Sequence, residues 1–406
     1  MKSTADHQNT VRNTSAIILV IGILIVASNL RPAITSVGPV IGIIRDDIGI
    51  SNGAAGLLTS LPLVAFALIS PVVPKLARTF SKEQALIIGF VLIIAGAFVR
   101  STALFFLLLI GTLIVGAGIA ICNVLLPSII KDRFPLKVGL MTSVYTTTLS
   151  TCAAIGSGFS YPLTTAAGLG WQLSLLVWTV PAVIGIIVWM VILKKYTPKK
   201  TTFKGKTGGI FKGNLMWGDK LAWIVAAYLG LQSILFYVTV SWLPEILNDS
   251  GIEMQTAGWL LSFTLIIGIP GSFFLPIIAA KMQKQSILGC LIGMMGLTGY
   301  TLVLFGSSMP VLITGLVLVG ITLGGGFALA LTFISLRAKN ADHATELSGM
   351  SQSIGYLLAA SGPFVIGSIY DFTETWTVPL IVLMSVCVVI VIVGYQVGRD
   401  RYVLNK

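Results

Sequence analysis

The chain is a near-continuous succession of apolar segments that short polar stretches interrupt. Apolar runs near or above the ~20 residues that an α-helix needs to cross a bilayer recur along its whole length. The pattern predicts twelve membrane-spanning helices, at residues 15–37, 52–74, 84–100, 104–130, 138–162, 171–193, 221–247, 256–280, 286–306, 311–334, 346–370 and 376–398.

Composition agrees with this pattern. Of the 406 residues, 55% are hydrophobic and only 10% are charged, and the mean hydropathy is +0.96. Soluble domains carry roughly a quarter charged residues. The chain is therefore predicted to be an all-α integral membrane protein, with the lipid bilayer as its surroundings.

The net charge is +12, and apart from Arg31 the 26 basic residues lie almost wholly on one side of the predicted membrane. With a cytoplasmic N-terminus, the outer loops keep only Arg45 and Arg100 of the basic residues. This one-sidedness follows the positive-inside rule and predicts that both termini are cytoplasmic, so the charge indicates topology and not a nucleic-acid partner. The inner segments hold the basic loop 194–220 and Lys75, Arg78, Lys82, Lys131, Arg133, Lys137, Lys281, Lys284, Arg337, Lys339, Arg399 and Arg401.

The two halves of the chain are similar in sequence. The stretch DIGISNGAAGLLTSL at 47–61 matches DSGIEMQTAGWLLSF at 249–263. The expected organisation is a six-helix bundle at 1–193, a cytoplasmic linker at 194–220 and a second six-helix bundle at 221–406. Two parallel six-helix repeats are typical of the major facilitator fold, in which substrate binds near the midplane and the halves rock to give alternating access.

The stretch SNLRPAITSVGPVIGIIRDDIGIS at 28–51 resembles the first-helix signature of the cyanate and 2-nitroimidazole permease family. SPVVPKLARTF at 70–80 and SWLPEIL at 241–247 are also similar to that family's pattern. The resemblance implies transport of a small anion or a small polar heterocycle. Pro71 and Lys75 stand where the common major facilitator motif has Gly and Asp, so the gating contact of that Asp is absent or rebuilt.

Arg31 lies in the middle of the first apolar run and is directly followed by Pro32. A charged side chain at the bilayer centre costs about 2.5–3.5 kcal/mol even on the permissive insertion scale, and it usually faces a cavity and serves function. The planar fork of arginine suits bidentate pairing with a planar anion. Pro32 disfavours helical geometry at Arg31, so a local helix break is expected. No acidic residue falls at mid-membrane, and Glu245 is the nearest candidate partner.

We expect Arg31 to line the substrate cavity; a structural pairing with backbone carbonyls or Glu245 is the alternative. Further polar side chains in the spans are candidates for substrate binding, and each fits interhelical hydrogen bonding equally well. Trp242 and Trp259 fit interfacial anchors better than ligand contacts. The further candidates are Ser28, Asn29, Thr35, Asn123, Gln232, Tyr237, Gln352 and Tyr356.

The sequence offers few titratable residues that could couple transport to a proton gradient. Proton-coupled carriers usually titrate an acid or a histidine inside the membrane. Both histidines fall in predicted cytoplasmic segments, which leaves Glu245 as the candidate for proton coupling, and a plain helix-end role fits it as well. Uniport, exchange and proton coupling stay open. We expect a monomer with a small-molecule substrate.

Other functional classes are less compatible with the sequence. A polyspecific exporter of apolar compounds would have an apolar cavity with an acidic residue, and no acidic residue falls at mid-membrane. A transporter-like sensor, which binds a solute without carrying it, stays an alternative. An enzyme is not expected, because the spans hold no metal-spaced His/Asp/Glu set and no catalytic dyad. The four cysteines form no CxxC or metal spacing. No cofactor and no metal are expected.

Overall fold

The computed structural model describes residues 17–50, 52–195, 215–306 and 308–404, and within these ranges all regular secondary structure is helical. The predicted linker lies mostly outside the described residues, at 196–214. The α-helices are α1 (17–29), α2 (Pro32–Thr35), α3 (Ile41–Ile48), α4 (Asn52–Ile69), α5 (Val73–Phe80), α6 (Lys82–Arg100), α7 (Phe105–Arg133), α8 (Val138–Thr164), α9 (Gly170–Leu176), α10 (Val180–Lys195), α11 (Lys220–Asp249), α12 (Met254–Lys281), α13 (Ser286–Phe305), α14 (Met309–Arg337), α15 (Ala341–Thr373) and α16 (Thr377–Val397).

Among the described residues, eleven helical stretches are long and apolar enough to cross a membrane, and a bent pair raises the number to twelve. The twelve-helix prediction is confirmed, with ends within a few residues of those expected. The second span is the correction. It was expected to run straight over 52–74, but α4 ends at Ile69 and the chain bends by 58° into α5. Pro71 lies in the bend, where its missing N–H breaks the helical ladder.

The first span is interrupted where Pro32 predicts a break. Helix α1 ends at residue 29, Leu30 and Arg31 form a turn, and α2 starts at Pro32. The carbonyl of Arg31 accepts hydrogen bonds from the N–H groups of Ile34 and Thr35, each at 2.9 Å. A 3-10 helix at Gly38–Val40 then leads into α3.

The chain divides into two compact units that interleave in sequence. Unit 1 contains the described parts of Met1–Ala65, Val73–Leu126 and Thr148–Gly205. Unit 2 contains Phe66–Val72, Pro127–Thr147 and the described parts of Lys206–Lys406. Helices α4, α7 and α8 therefore contribute to both units. The six-plus-six domain division stays a prediction.

Small residues allow close helix packing inside each unit. In unit 1, Gly96 of α6 lies against Gly111 of α7, and a side chain at either would overlap the other helix. In unit 2, the backbones of Gly268 on α12 and Gly324 on α14 are similarly close. Membrane helices associate mainly through such packing, because lipid offers no hydrophobic advantage.

The segment after α16 packs on helix ends of unit 2. Val403 is fully buried, and its N–H donates to the carbonyl of Arg337, the last residue of α14, at 2.9 Å. The carbonyl of Gly398 accepts the N–H of Gln285, just before α13, at 2.8 Å. The end of the chain is therefore part of the packed unit.

Candidate functional site

The break at Arg31 is the polar centre of unit 1. Arg31 is half-buried, and helix α8 packs directly beside it. The hydroxyl of Thr35 donates to the carbonyl of Ala153 on α8 at 3.0 Å. One turn further along α8, Gly156 approaches Pro32 and Thr35 so closely that a methyl group there would overlap both. The break is thus held by an adjacent helix as well as by its own proline.

Ser28 and Asn29, just before the break, form hydrogen bonds within α1. Ser28 Oγ and Asn29 Nδ2 both donate to the carbonyl of Ile25, at 2.8 and 2.7 Å. Asn29 is only 2% exposed, and its Oδ1 atom has no hydrogen-bond partner among the described residues. Asn123 is buried on the part of α7 that belongs to unit 1. Unit 1 therefore gathers Ser28, Asn29, Arg31 and Thr35 around one break.

Arg100 requires a correction. It was expected in an outer loop, but it is the last residue of α6 and only 1% exposed. Its Nη1 donates to the carbonyl of Ala33, two residues after Arg31, at 2.5 Å. Its Nε and Nη2 atoms have no hydrogen-bond partner in the described ranges. The polar RST sequence at 100–102 suggests a loop, because an arginine that ends an apolar run is usually a span boundary, unlike Arg31 in the middle of one.

Gln232 is the most enclosed of the predicted residues in unit 2. Its side chain is fully buried on α11, and its carboxamide lies against Gly326 of α14, where any larger residue would overlap it. The hydroxyl of Tyr228, one turn earlier on α11, lies within hydrogen-bonding reach of the Gln232 side chain. Ser233 Oγ is also buried and has no hydrogen-bond partner among the described residues. Sequence reasoning missed both Tyr228 and Ser233.

The remaining predicted residues of unit 2 lie on α11 and α15. Gln352 is buried and its Nε2 donates to Ser348 Oγ at 2.9 Å. The Tyr356 ring meets the edge of the Phe66 ring, with centroids 4.8 Å apart. Tyr237 is half-buried, and its ring contacts that of Phe236. These side chains are all at least half-buried inside unit 2.

Glu245 and the two tryptophans lie near the end of α11 and the start of α12. Glu245 is exposed. Trp259 is 71% exposed, as an interfacial anchor would be. Trp242 differs from that expectation, because its Nε1 donates to the carbonyl of Pro363 on α15 at 2.9 Å and its ring packs on Trp376.

Five hydroxyl groups of the described residues join segments from different halves of the sequence within unit 2. Each donates to a backbone carbonyl, and we call these side chains the hydroxyl ties. Ser128 donates to Ala341 at 2.7 Å, Ser143 to Phe273, Thr146 to Ser272 at 3.1 Å, Ser335 to Pro127 at 3.4 Å, and Ser353 to Ala67 at 2.7 Å. Thr345 also donates to Ser128 Oγ, at 2.6 Å. Serine and threonine in apolar spans carry no sequence signal that distinguishes such ties from bonds within one helix.

Comparison with known proteins identifies the family. A model described as the Major Facilitator Superfamily matches residues 20–363. The chain belongs to this superfamily. It is 43% identical over 388 residues to an uncharacterized transporter, YycB, of Bacillus subtilis (strain 168), covering 96% of this chain and 95% of that protein.

Two relatives with described transport functions are similar over most of the chain. The 2-nitroimidazole transporter of Escherichia coli (strain K12) is 37% identical, covering 95% of this chain and 96% of that one. The cyanate transport protein CynX of the same organism is 26% identical, covering 85% and 88%. Among solved structures, the transporter FucP in its outward conformation has the same fold, with a TM-score of 0.73, 16% identity and coverage of 95% and 100%.

The chain is therefore a multi-pass membrane transporter and not an enzyme. The major facilitator fold and the resemblance to the cyanate and 2-nitroimidazole permeases are confirmed.

Proposed function

We propose that this transporter carries a small anion or a small polar heterocycle across the cytoplasmic membrane by alternating access, with Arg31 as its principal binding charge. The observation that carries the proposal is the position of Arg31, half-buried at a helix break in the middle of the first apolar span. The printed functions of two relatives, transport of cyanate and of 2-nitroimidazole, support the same class of substrate.

The chemistry of the break suits such a solute. A guanidinium provides several N–H donors in a fixed fork and binds anions through charge-assisted hydrogen bonds. The buried Oδ1 of Asn29, two residues earlier, is an acceptor without a partner in the described residues. A solute with a negative or strongly dipolar group and an N–H group would use both.

Four polar residues of unit 2 are part of the proposal as well. We propose Gln232, Gln352, Tyr237 and Tyr356 as substrate-binding residues, because amide and hydroxyl groups suit a small polar solute. The fully buried carboxamide of Gln232, which lies against Gly326 and beside the Tyr228 hydroxyl, supports this role. A buried amide carries two donors and an acceptor, more than one neighbouring hydroxyl can satisfy.

The accompanying features are part of the same proposal. Both termini face the cytoplasm, on the basis of the basic inner segments. The carrier acts as a monomer, and Glu245 takes part in proton coupling if the substrate is moved by symport. Glu245 is exposed and lies four residues before the end of α11.

Ligand-induced thermal stabilisation of the purified carrier tests the role of Arg31. The ligands are cyanate, bicarbonate, small carboxylates and 2-nitroimidazole, and the proteins are the wild type, Arg31→Gln and Arg45→Gln. Arg45 is a matched control because it is a partly exposed arginine of α3 that pairs with Asp46. We expect at least one ligand to stabilise the wild type and Arg45→Gln but not an equally folded Arg31→Gln.

A ligand that stabilises all three proteins alike would make Arg31 structural and would overturn the site assignment. Counterflow of the stabilising ligand in proteoliposomes then separates a carrier from a sensor. Stabilisation only by apolar compounds would favour a polyspecific exporter.

A further inference from the structure

Arg100 is a buried cation that the proposed function does not use. Its side chain is 1% exposed, and in the described ranges it forms one hydrogen bond and no ion pair. Burying a charge in a protein without a counter-charge costs free energy. Removing one partner of a buried ion pair is strongly destabilising for the same reason. No described residue supplies a counter-charge to Arg100, so a bound anion would lower the free-energy cost of burying it.

The single bond of Arg100 fixes the orientation of its guanidinium. The carbonyl of Ala33 would normally accept the N–H of Val37, but that N–H donates to the carbonyl of Ile34 at 3.2 Å. The irregular backbone after the break therefore leaves the Ala33 oxygen for Arg100 Nη1. The guanidinium of Arg100 is therefore bonded to the backbone of Ala33, which follows Arg31 by two residues.

The atoms that remain unpaired form one edge of the guanidinium. Nε–H and the adjacent N–H of Nη2 point in parallel, and this pair is the fork that binds two oxygens of one planar group. Because Nη1 is already engaged, the free edge of Arg100 is this two-donor fork. Nearby in the same turn, Ser36 Oγ is also fully buried and unpaired among the described residues.

We propose that Arg100 is a second anion-binding residue and that its Nε–Nη2 edge selects planar two-oxygen anions, such as carboxylates and nitrate, over linear anions. The inference rests on the proposed transport of anions and narrows its substrate class. In this proposal Arg31 supplies positive charge at the break, while the two parallel donors of Arg100 favour planar ligands over linear ones. A linear anion presents one terminal atom at a time and gains little from two parallel donors.

The test measures affinities by thermal-shift titration at constant ionic strength, with chloride as the baseline. The ligands are acetate and nitrate, which are planar, and cyanate and azide, which are linear. Arg100→Lys keeps the charge and a donor for Ala33 but loses the parallel fork, and Arg45→Lys is the matched control. We expect Arg100→Lys to lower the affinity for acetate and nitrate by about ten- to a hundred-fold. The affinity for the linear anions should fall much less.

Equal affinity of wild type and a folded Arg100→Lys for the planar anions would overturn the inference. If Arg100→Lys does not fold, the wild type alone decides, because a preference for cyanate or azide over acetate and nitrate contradicts the inference. Arg31→Gln, measured in parallel, keeps the two ideas apart. Loss of all anion binding in Arg31→Gln with an unaffected Arg100→Lys supports the proposed function and rejects this one.

Discussion

The carboxylate of Asp219 accepts the backbone N–H of Leu404 through Oδ2 at 2.6 Å, so the last described turn of the chain is fastened to the start of α11. The other oxygen, Oδ1, caps α11 by accepting the N–H groups of Leu221 and Ala222, at 2.7 and 3.1 Å. One side chain thus satisfies donors from two segments that lie far apart in sequence.

Replacing Asp219 with Ala should lower the free energy of unfolding by about 1–2 kcal/mol, because an N-cap is lost together with the tie to the chain end. The measurement is thermal unfolding in detergent by intrinsic fluorescence. Asp249→Ala, at the exposed opposite end of α11, is the matched control and should change little. Equal loss in both variants would show that the Leu404 contact adds nothing.

Removal of the hydroxyl ties should loosen unit 2 at the start of α15. Interhelical hydrogen bonds in membranes average about 0.6 kcal/mol and reach about 1.7. Ser128→Ala, combined with Ser353→Ala, is expected to raise amide hydrogen exchange in peptides spanning 341–353. Ser361→Ala on the same helix is the control, since its hydroxyl bonds only to Leu358 within α15. Unchanged exchange in the double variant would mean that the ties contribute no stability.

Substitutions at two glycines of α8 distinguish an effect on the helix break at Arg31 from an effect on the stability of α8. A methyl group at Gly156 would overlap Pro32 and Thr35, whereas Gly158 has open space around it. Gly156→Ala should therefore displace the break and weaken ligand-induced stabilisation at least several-fold. Gly158→Ala should leave ligand binding unchanged and slightly stabilise the helix, because Ala is favoured over Gly in helix interiors by up to about 1 kcal/mol. Equal ligand responses in both would contradict this view of the break.

A buried hydroxyl pair links α11 to α13. Thr239 Oγ1 and the Tyr300 hydroxyl are 2.6 Å apart, and both residues are 1% exposed. A double-mutant cycle of Thr239→Val and Tyr300→Phe should give a coupling energy of about 0.6–1.7 kcal/mol in unfolding experiments. Additive single effects would indicate that the pair contributes no net bond.

Local chemistry is sufficient to predict the break in the first span. Pro32 has no N–H to continue the helical hydrogen bonds, so the interruption follows from this one residue, while Arg31 keeps a right-handed helical backbone with φ −116° and ψ −42°. Span positions follow equally well, because the length of an apolar run and its polar ends are properties of the sequence itself. The family resemblance predicts the fold from sequence motifs alone, before any contact between helices is known.

Non-local features of the site are not predictable in the same way. The approach of Gly156 to Pro32 depends on how α8 crosses the first span, and small residues occur throughout these helices. Arg100 was placed in a loop because polar neighbours follow it, while its burial depends on the carbonyl that the distant Ala33 leaves unpaired. The bend near Pro71 was also missed, since prolines inside other helices, such as Pro127, leave them continuous.

The substrate-binding residues stay predictions at this stage. Arg31, Asn29 and Thr35 come together within unit 1, and Gln232, Gln352 and Tyr356 are buried within unit 2. Burial alone does not separate a ligand contact from an interhelical bond, because the hydrogen-bonding requirement of both is the same.

The hydroxyl ties have a consequence for the conditions under which the transporter works. Major facilitators commonly carry an acidic gating residue where this chain has Lys75, and contacts between charged groups weaken as salt is added or as the acid is protonated. Ser128, Ser143, Thr146, Ser335 and Ser353 are neutral donors to backbone carbonyls. Geometry and the exclusion of water determine the strength of these bonds, and neither partner ionises, so we expect them to be insensitive to ionic strength and to pH.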